Sequence, residues 1–309
     1  MSSEIISGVD HMVSGHGITP WHKLGTVVDG ALTAEQALIQ AKLDWNVVKK
    51  KIQVAGGKPF PHNFAICRED NGDPLGIVGT RYTPIQNTDG LSILDPVIGQ
   101  DACYETAGSL RGGKIVWFLA SLKKEYFLSG KTADSMKQYF LVYLSHDGTK
   151  PVTVRFVSTR VVCMNTLTAA VGEARAMVVI RHTKNFQDKV AEAHRIVGLA
   201  DKHAQEYIKV YNQLQSVKMT EKEAGQFTEV WMPGEGKRVT NTRTQLVNLF
   251  RKGQGNEGKT RVDMLNAVTE YLSHEKPVRA KRGGEARFET NMMGYGIGMQ
   301  SSAIDLLLN

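Results

Sequence analysis

Residues 177–217 read MVVIRHTKNFQDKVAEAHRIVGLADKHAQEYIKVYNQLQSV, and the apolar period changes inside this stretch. Met177 to Ile180 is a short apolar run of the kind a buried strand carries. Past Thr183, the residues Phe186, Val190, Ala193, Val197, Ala200, Ala204, Ile208, Tyr211 and Leu214 recur every three or four positions. That spacing puts one apolar stripe on a helix and predicts a long amphipathic helix of roughly 30 residues.

Upstream of the switch the signals are those of strands and tight turns. Trp45 to Val54 alternates. Phe64 to Cys67 and Leu75 to Val78 flank Asn71-Gly72 as a hairpin, and Tyr104 to Leu122 folds back through Arg111-Gly112-Gly113. Gln138 to Leu144 and Val152 to Val157 are two more strands around the turn His146-Asp147-Gly148. Helices interrupt them only locally: one capped by Thr33, a short one over Leu91 to Ile98, and one through Val171 capped by Asn165 or Thr166. Downstream the helical period continues over Glu221 to Val230, Thr242 to Arg251 and Arg261 to Ser273. Strands followed by helices predict an α+β fold. The expected organisation is a β-rich part, 1–182, with an antiparallel sheet, and a helical, basic part, 183–309, the two being separate domains or one continuous one.

The 309 residues contain no apolar run near the roughly 20 a membrane helix needs. Met1 to Thr19 lacks the pattern of a secretory signal. Cys67, Cys103 and Cys163 are an odd count with no CxxC, so neither a disulfide framework nor a Cys-based zinc site is expected, and a reducing cytoplasm is.

The net charge of +7 is segregated. Between 237 and 287 stand twelve Lys and Arg against five Asp and Glu, an excess equal to the whole net charge. A neutral body with a basic region suits nucleic acid, because neutralised phosphates release counterions.

The sharpest motif is Gly253-Gln-Gly-Asn-Glu-Gly258-Lys259-Thr260, which matches GxxxxGK[ST] in form. A phosphate-binding loop of that kind follows a buried strand, whereas Leu246 to Lys252 fits a helix end with Gly253 as its cap. The loop is expected to open the helix at Arg261 and to offer its amides to one phosphate. Gly294-Tyr-Gly296-Ile-Gly298 lacks the spacing and βαβ context of a dinucleotide fingerprint. His11, His16 and His22, and the pair His194 and His203, lack metal-ligand spacing. Cys163 with His182 resembles a nucleophile and base only superficially, since the thiol lies in an apolar run, and no GxSxG elbow exists. No catalytic residue, metal or cofactor is assigned.

The candidate nucleic-acid contacts are three groups. Arg155, Arg160 and Arg181 lie on strands near Tyr139, Tyr143 and Phe156, the cations and rings of a single-strand platform. Lys259 and Arg261 flank the Gly-rich loop. Lys276, Arg279, Lys281, Arg282 and Arg287 form an apolar-poor arm expected to be a mobile loop.

Several blocks resemble a phage/plasmid-like family of unknown function, the domain of unknown function 932. They are Pro20-Trp-His-Lys-Leu-Gly25, Thr33-Ala-Glu-Gln-Ala-Leu38, Leu43-Asp-Trp45, Tyr104 to Gly113, Ser145-His-Asp-Gly148, Arg160 to Leu167 and Asn266-Ala-Val-Thr-Glu-Tyr271. The resemblance implies a phage, prophage or plasmid origin and no particular activity. From the charge we expect a non-enzymatic protein that binds single-stranded DNA, or RNA, and anneals it in recombination or replication. It is expected to form homo-oligomers, with a phage exonuclease or a host protein as further partner. The alternatives are an interaction protein that binds a host protein through the helix Phe186 to Val217, and a nucleotide-dependent enzyme using Lys259.

Overall fold

The structure is a computed structural model and describes residues 24–28, 30–31, 33–53, 55–99, 101–128, 134–160, 165–169, 177–182, 199–278 and 283–309. The fold is α+β, with antiparallel sheets in the N-terminal and middle parts and helices in the C-terminal part.

Ten strands are described: β1 (Thr26–Val27), β2 (Val47–Gln53), β3 (Pro59–Arg68), β4 (Pro74–Gly79), β5 (Ala102–Leu110), β6 (Ile115–Phe127), β7 (Ser135–Ser145), β8 (Val152–Arg160), β9 (Asn165–Leu167) and β10 (Met177–Ile180). One sheet has the order β1-β5-β6-β7-β8-β10, with β9 also paired to β8. The other is the meander β2-β3-β4. The β5–β6 hairpin closes where expected, Leu110 opposite Ile115. Its turn places Arg111, Gly112 and Gly113 in succession at positive φ, 55°, 68° and 84°. Two glycines absorb most of that left-handed run without a Cβ clash.

Eight helices are described: α1 (Ala34–Ala41), α2 (Asn87–Leu91), α3 (Ala200–Ser216), α4 (Glu221–Trp231), α5 (Lys237–Lys252), α6 (Arg261–Glu270), α7 (Gly283–Met293) and α8 (Gly296–Leu308). Thr33 caps α1 as expected, its hydroxyl accepting from Gln36 N at 3.2 Å. The helix expected over Leu91 to Ile98 is α2 followed by a 3₁₀ turn over Ser92–Leu94.

The chain clusters into two compact units. Unit 1 is Met1–Lys123, Tyr139–Arg155 and Met177–Leu199; unit 2 is Lys124–Gln138, Phe156–Ala176 and Ala200–Asn309. The division does not follow the sequence switch near 182, because β6, β7 and β8 each give residues to both units. Unit 1 buries Leu38, Leu43, Ile66, Leu91, Trp117, Phe118 and Phe140. Unit 2 packs Tyr207, Tyr211, Phe227, Trp231, Leu246 and Phe250 with Val268 and Ile304.

Three local expectations change. Asn165 and Thr166 cap no helix: Asn165 to Leu167 forms β9, opposite Arg160 to Ser158. Pairing with β8 satisfies a backbone that a cap would otherwise have to serve. The basic arm 276–287 is not all loop, since α7 begins at Gly283. Of the long helix, α3 is described, and its stripe of Ala204, Tyr207, Val210, Tyr211 and Leu214 is buried within unit 2. The part of that helix from 186 to 198 lies outside the described residues.

Candidate nucleic-acid interface

Arg155 and Arg160 are 6% and 7% exposed, so neither presents a guanidinium to a strand in solvent. The rings expected beside them, Tyr139, Tyr143 and Phe156, are likewise buried. Arg160 makes a two-pronged pair with Asp134, Nε to Oδ1 at 2.7 Å and Nη2 to Oδ2 at 2.8 Å, and donates to Gly255 O at 3.3 Å. Burial pulls the Arg155 guanidinium down in pKa, with the Tyr143 hydroxyl opposing it, and Nη2 donates to Met177 Sδ. The single-strand platform expected on these strands is therefore core. Strand alternation alone could not reveal this, because every residue of β8 is buried.

The Gly-rich loop follows helix α5 with Gly253 as its C-cap, as expected, and not a strand. What changes is the offer of amides to a phosphate, because those of Glu257, Lys259 and Thr260 are taken. Asp263, 6% exposed, accepts from Glu257 N at 3.1 Å and from Lys259 N and Thr260 N at 2.9 Å each. A carboxylate of the chain occupies the place a phosphate would take, completing the capping box of α6. Lys259 is exposed and pairs with Glu257 at 2.9 Å. Arg261 donates Nη1 to Leu307 O. Lys276 lies 4.4 Å over the Tyr295 ring, and Arg287 donates to Lys276 O at 3.0 Å. Arg279, Lys281 and Arg282 lie outside the described residues, as do His11, His16, His22, Cys163 and His194. Among the described residues no group of three His, Cys, Asp or Glu could hold a metal, and no helix is long and apolar enough to cross a membrane.

Arg181 alone of the sheet arginines is exposed, and it opens on a cleft of about 760 Å³ in unit 1. Three segments far apart in sequence build that cleft: residues 79–82 after β4, 148–151 before β8, and 179–182 at the end of β10, with His62 of β3 beside them. Each is pinned. Lys49 of β2 reaches over the Phe64 ring, and its ammonium donates to Gly79 O, Thr80 O and Tyr82 O at 3.0, 2.9 and 2.7 Å. Ser145 closes the second segment, its Oγ accepting from Lys150 N and donating to Lys150 O, both at 2.8 Å. Gly76 of β4 lets that turn approach, since a Cβ there would stand 2.4 Å from Asp147 Cα. The segments are then tied together: Tyr82 Oη donates to Ser145 O at 2.9 Å, and Thr83 N to His182 O at 3.1 Å.

The result is a basic cleft. Arg81, Lys150 and Arg181 line it with Thr80, Thr149 and His62, and no carboxylate is among its described lining residues. Asp147 stands just behind, its Oδ1 accepting from Thr149 N at 2.9 Å. Burial, helped by the Asp147 charge, keeps the Tyr82 phenol protonated. Sequence reading missed Arg81, Tyr82, Lys150 and His62. The available signal was polar: Thr80-Arg81-Tyr82-Thr83 between an apolar strand and Pro84 is a loop carrying a cation beside a ring. Nothing in the sequence brings it to Lys150 and Arg181.

Neither the curated proteins nor the solved structures contain a match to the chain. A family profile does match it, over residues 74–292, a span that includes all three cleft segments whole but none of β2 or β3. With that span covering well over half of its length, the chain belongs to the family described as a domain of unknown function (DUF932).

Proposed function

We propose that the chain binds single-stranded nucleic acid through the cleft of unit 1. DNA is the expected strand and RNA the alternative. The cellular role we assign is annealing in the recombination or replication of phage or plasmid DNA, by a homo-oligomer working with an exonuclease or a host protein. The observation that carries this reading is the convergence of Arg81, Lys150 and Arg181 on one cleft with the Tyr82–His182 ring pair and no lining carboxylate among the described residues.

Positive side chains in a concave site attract the phosphate backbone, and a cleft with aromatic walls suits unpaired nucleotides better than a duplex. Exposed Lys237, Arg238 and Lys252 of α5 add charge elsewhere on the chain. The reading as a helix-mediated host-protein binder has less support, because the described apolar stripe of α3 is buried. The nucleotide-enzyme reading loses its phosphate loop to Asp263.

The test is binding of labelled oligonucleotides, single- and double-stranded, across salt concentrations, with the mass of the complex measured alongside. Three phosphate contacts on a single strand predict a slope of log K against log salt of about −2. Replacing Arg81 and Arg181 together by Ala should leave roughly a third of that slope. Absence of single-strand binding at low salt refutes the proposal.

A further inference from the structure

The β2–β3 ribbon of unit 1 is strongly basic. Between Val47 and Cys67 stand four Lys, at 49, 50, 51 and 58, and no Asp or Glu. Lys50, Lys51 and Lys58 are exposed. Lysines on an edge strand such as β2 discourage edge-to-edge pairing, but that role does not call for an exposed aromatic ring nearby. Phe60 of β3 is 48% exposed. Pro59 and Pro61 flank it and fix the backbone, which lowers the entropy lost when the ring takes a partner.

The ribbon has a side that faces the cleft. Lys49 reaches the segment after β4 with its ammonium. Lys51 stands two positions along β2, on the same face and directly opposite Phe64. His62, two positions from Phe64 in β3, lines the cleft, and Phe60 follows two positions beyond it. From Phe64 to Pro59 β3 takes five steps while β2 takes two, from Lys51 to Gln53, so Phe60 and His62 sit in a bulged stretch. Bulges re-aim side chains and recur beside functional sites. Lys50 is on the opposite face, across from Ala65. At the ordinary strand rise, His62 to Lys58 spans about 13 Å.

We propose that the ribbon continues the strand-binding track out of the cleft: Phe60 stacks on a base, and Lys51 and Lys58 contact the phosphates beside it. This rests on the strand-binding reading of the cleft and gives that site its direction. The chemistry is complementary, since a flat ring accepts the face of any base and the ammonium groups meet the backbone charge. A partner held by charge alone would ignore the ring, and this sets the test.

The experiment measures binding of fluorescent oligothymidylates of about four and about twelve nucleotides to the full chain across salt concentrations. The short oligomer, confined to the cleft, should keep the slope of about −2, and the long one should be steeper by about 1.4. Phe60→Ala should weaken binding of the long oligomer about tenfold with its slope unchanged, and leave the short one as in wild type. Lys51→Gln and Lys58→Gln should each take about 0.7 from the long oligomer's slope. Lys50→Gln, the same charge change on the opposite face, should take nothing. A long oligomer stripped of its bases should bind wild type and Phe60→Ala alike. All four positions are exposed, and unchanged urea midpoints show that the variants fold. Three results overturn the track while the cleft reading stands on Arg81 and Arg181. They are equal wild-type slopes for the two lengths, an effect of Lys50→Gln equal to that of Lys51→Gln, and a Phe60→Ala loss that persists with the base-free oligomer. Failure of both oligothymidylates to bind at low salt overturns the cleft reading and the track with it.

Discussion

The imidazole of His182 lies flat against the ring of Tyr82, with centroids 4.8 Å apart and planes 12° from parallel. One ring comes from the end of β10 and the other from the segment after β4, so the stack closes a loop of about a hundred residues. Through it, the exposed cations Arg81 and Arg181, each next in sequence to one of these rings, are held at a common cleft.

His182 belongs to a set of histidines buried in the neutral state, and this predicts acid sensitivity. Burial lowers His146 to about 3, with His182 adding to the effect and Asp147 opposing it, and burial lowers His203 to about 4. In the unfolded chain each titrates near 6.5. Below that pH the unfolded state binds more protons, so stability is complete above about pH 6.5 and falls as pH drops toward the folded values. Each ring contributes a slope of up to about 1.4 kcal/mol per pH unit. Urea midpoints should fall clearly between neutral pH and about pH 5, and His146→Gln should flatten the dependence. A midpoint that ignores pH in this range contradicts neutral burial.

Lys49 shapes the cleft without lining it. Its three ammonium protons go to the carbonyls of Gly79, Thr80 and Tyr82, the segment that carries Arg81. Lys49→Met keeps most of the stem over Phe64 and removes the three donors. Oligonucleotide affinity should fall several-fold while the salt slope stays near the wild-type value, since no phosphate contact is lost. A slope reduced by about one would instead place Lys49 on the strand.

The elements were legible because each carries a local signal. The glycines after Arg111, the cap at Thr33 and the three-to-four spacing from Ala200 to Leu214 each report on a few neighbouring residues, and over the described residues each has the predicted form. The site was much less legible. Arg155 and Arg160 look like Arg181 in sequence, all on apolar strands beside aromatics. What separates them is burial across β8 and an acid, Asp134, that lies 26 residues from Arg160. Asp263 escaped notice for the same reason, since its role depends on the loop curling back over the first turn of α6.

That curl makes a prediction about the Gly-rich loop. Asp263→Ala would leave the amides of Glu257, Lys259 and Thr260 without their acceptor. Loss of a helix cap with unsatisfied amides should cost about 2 kcal/mol or more. Lys259→Ala removes only an exposed pair with Glu257 and should leave the unfolding midpoint where it is. If Lys259→Ala abolished binding or activity while Asp263→Ala were harmless, the loop would be a phosphate site after all.

The last contrast is between two arginines. Arg160 and its partner Asp134 have side chains only 8% and 16% exposed, and removing one partner strands the other charge in the interior. Arg160→Ala should destabilise the fold by about 3–5 kcal/mol. Arg160→Lys should recover only part of that, because an ammonium cannot span both carboxylate oxygens. Arg181 is exposed and has no ion pair among the described residues. Arg181→Ala should leave the urea midpoint unchanged, weaken oligonucleotide binding roughly tenfold and reduce the salt slope by about 0.7. Unfolding and binding measured on both variants separate the roles, since a stability loss for Arg181→Ala with unaltered binding would move the interface away from this cleft.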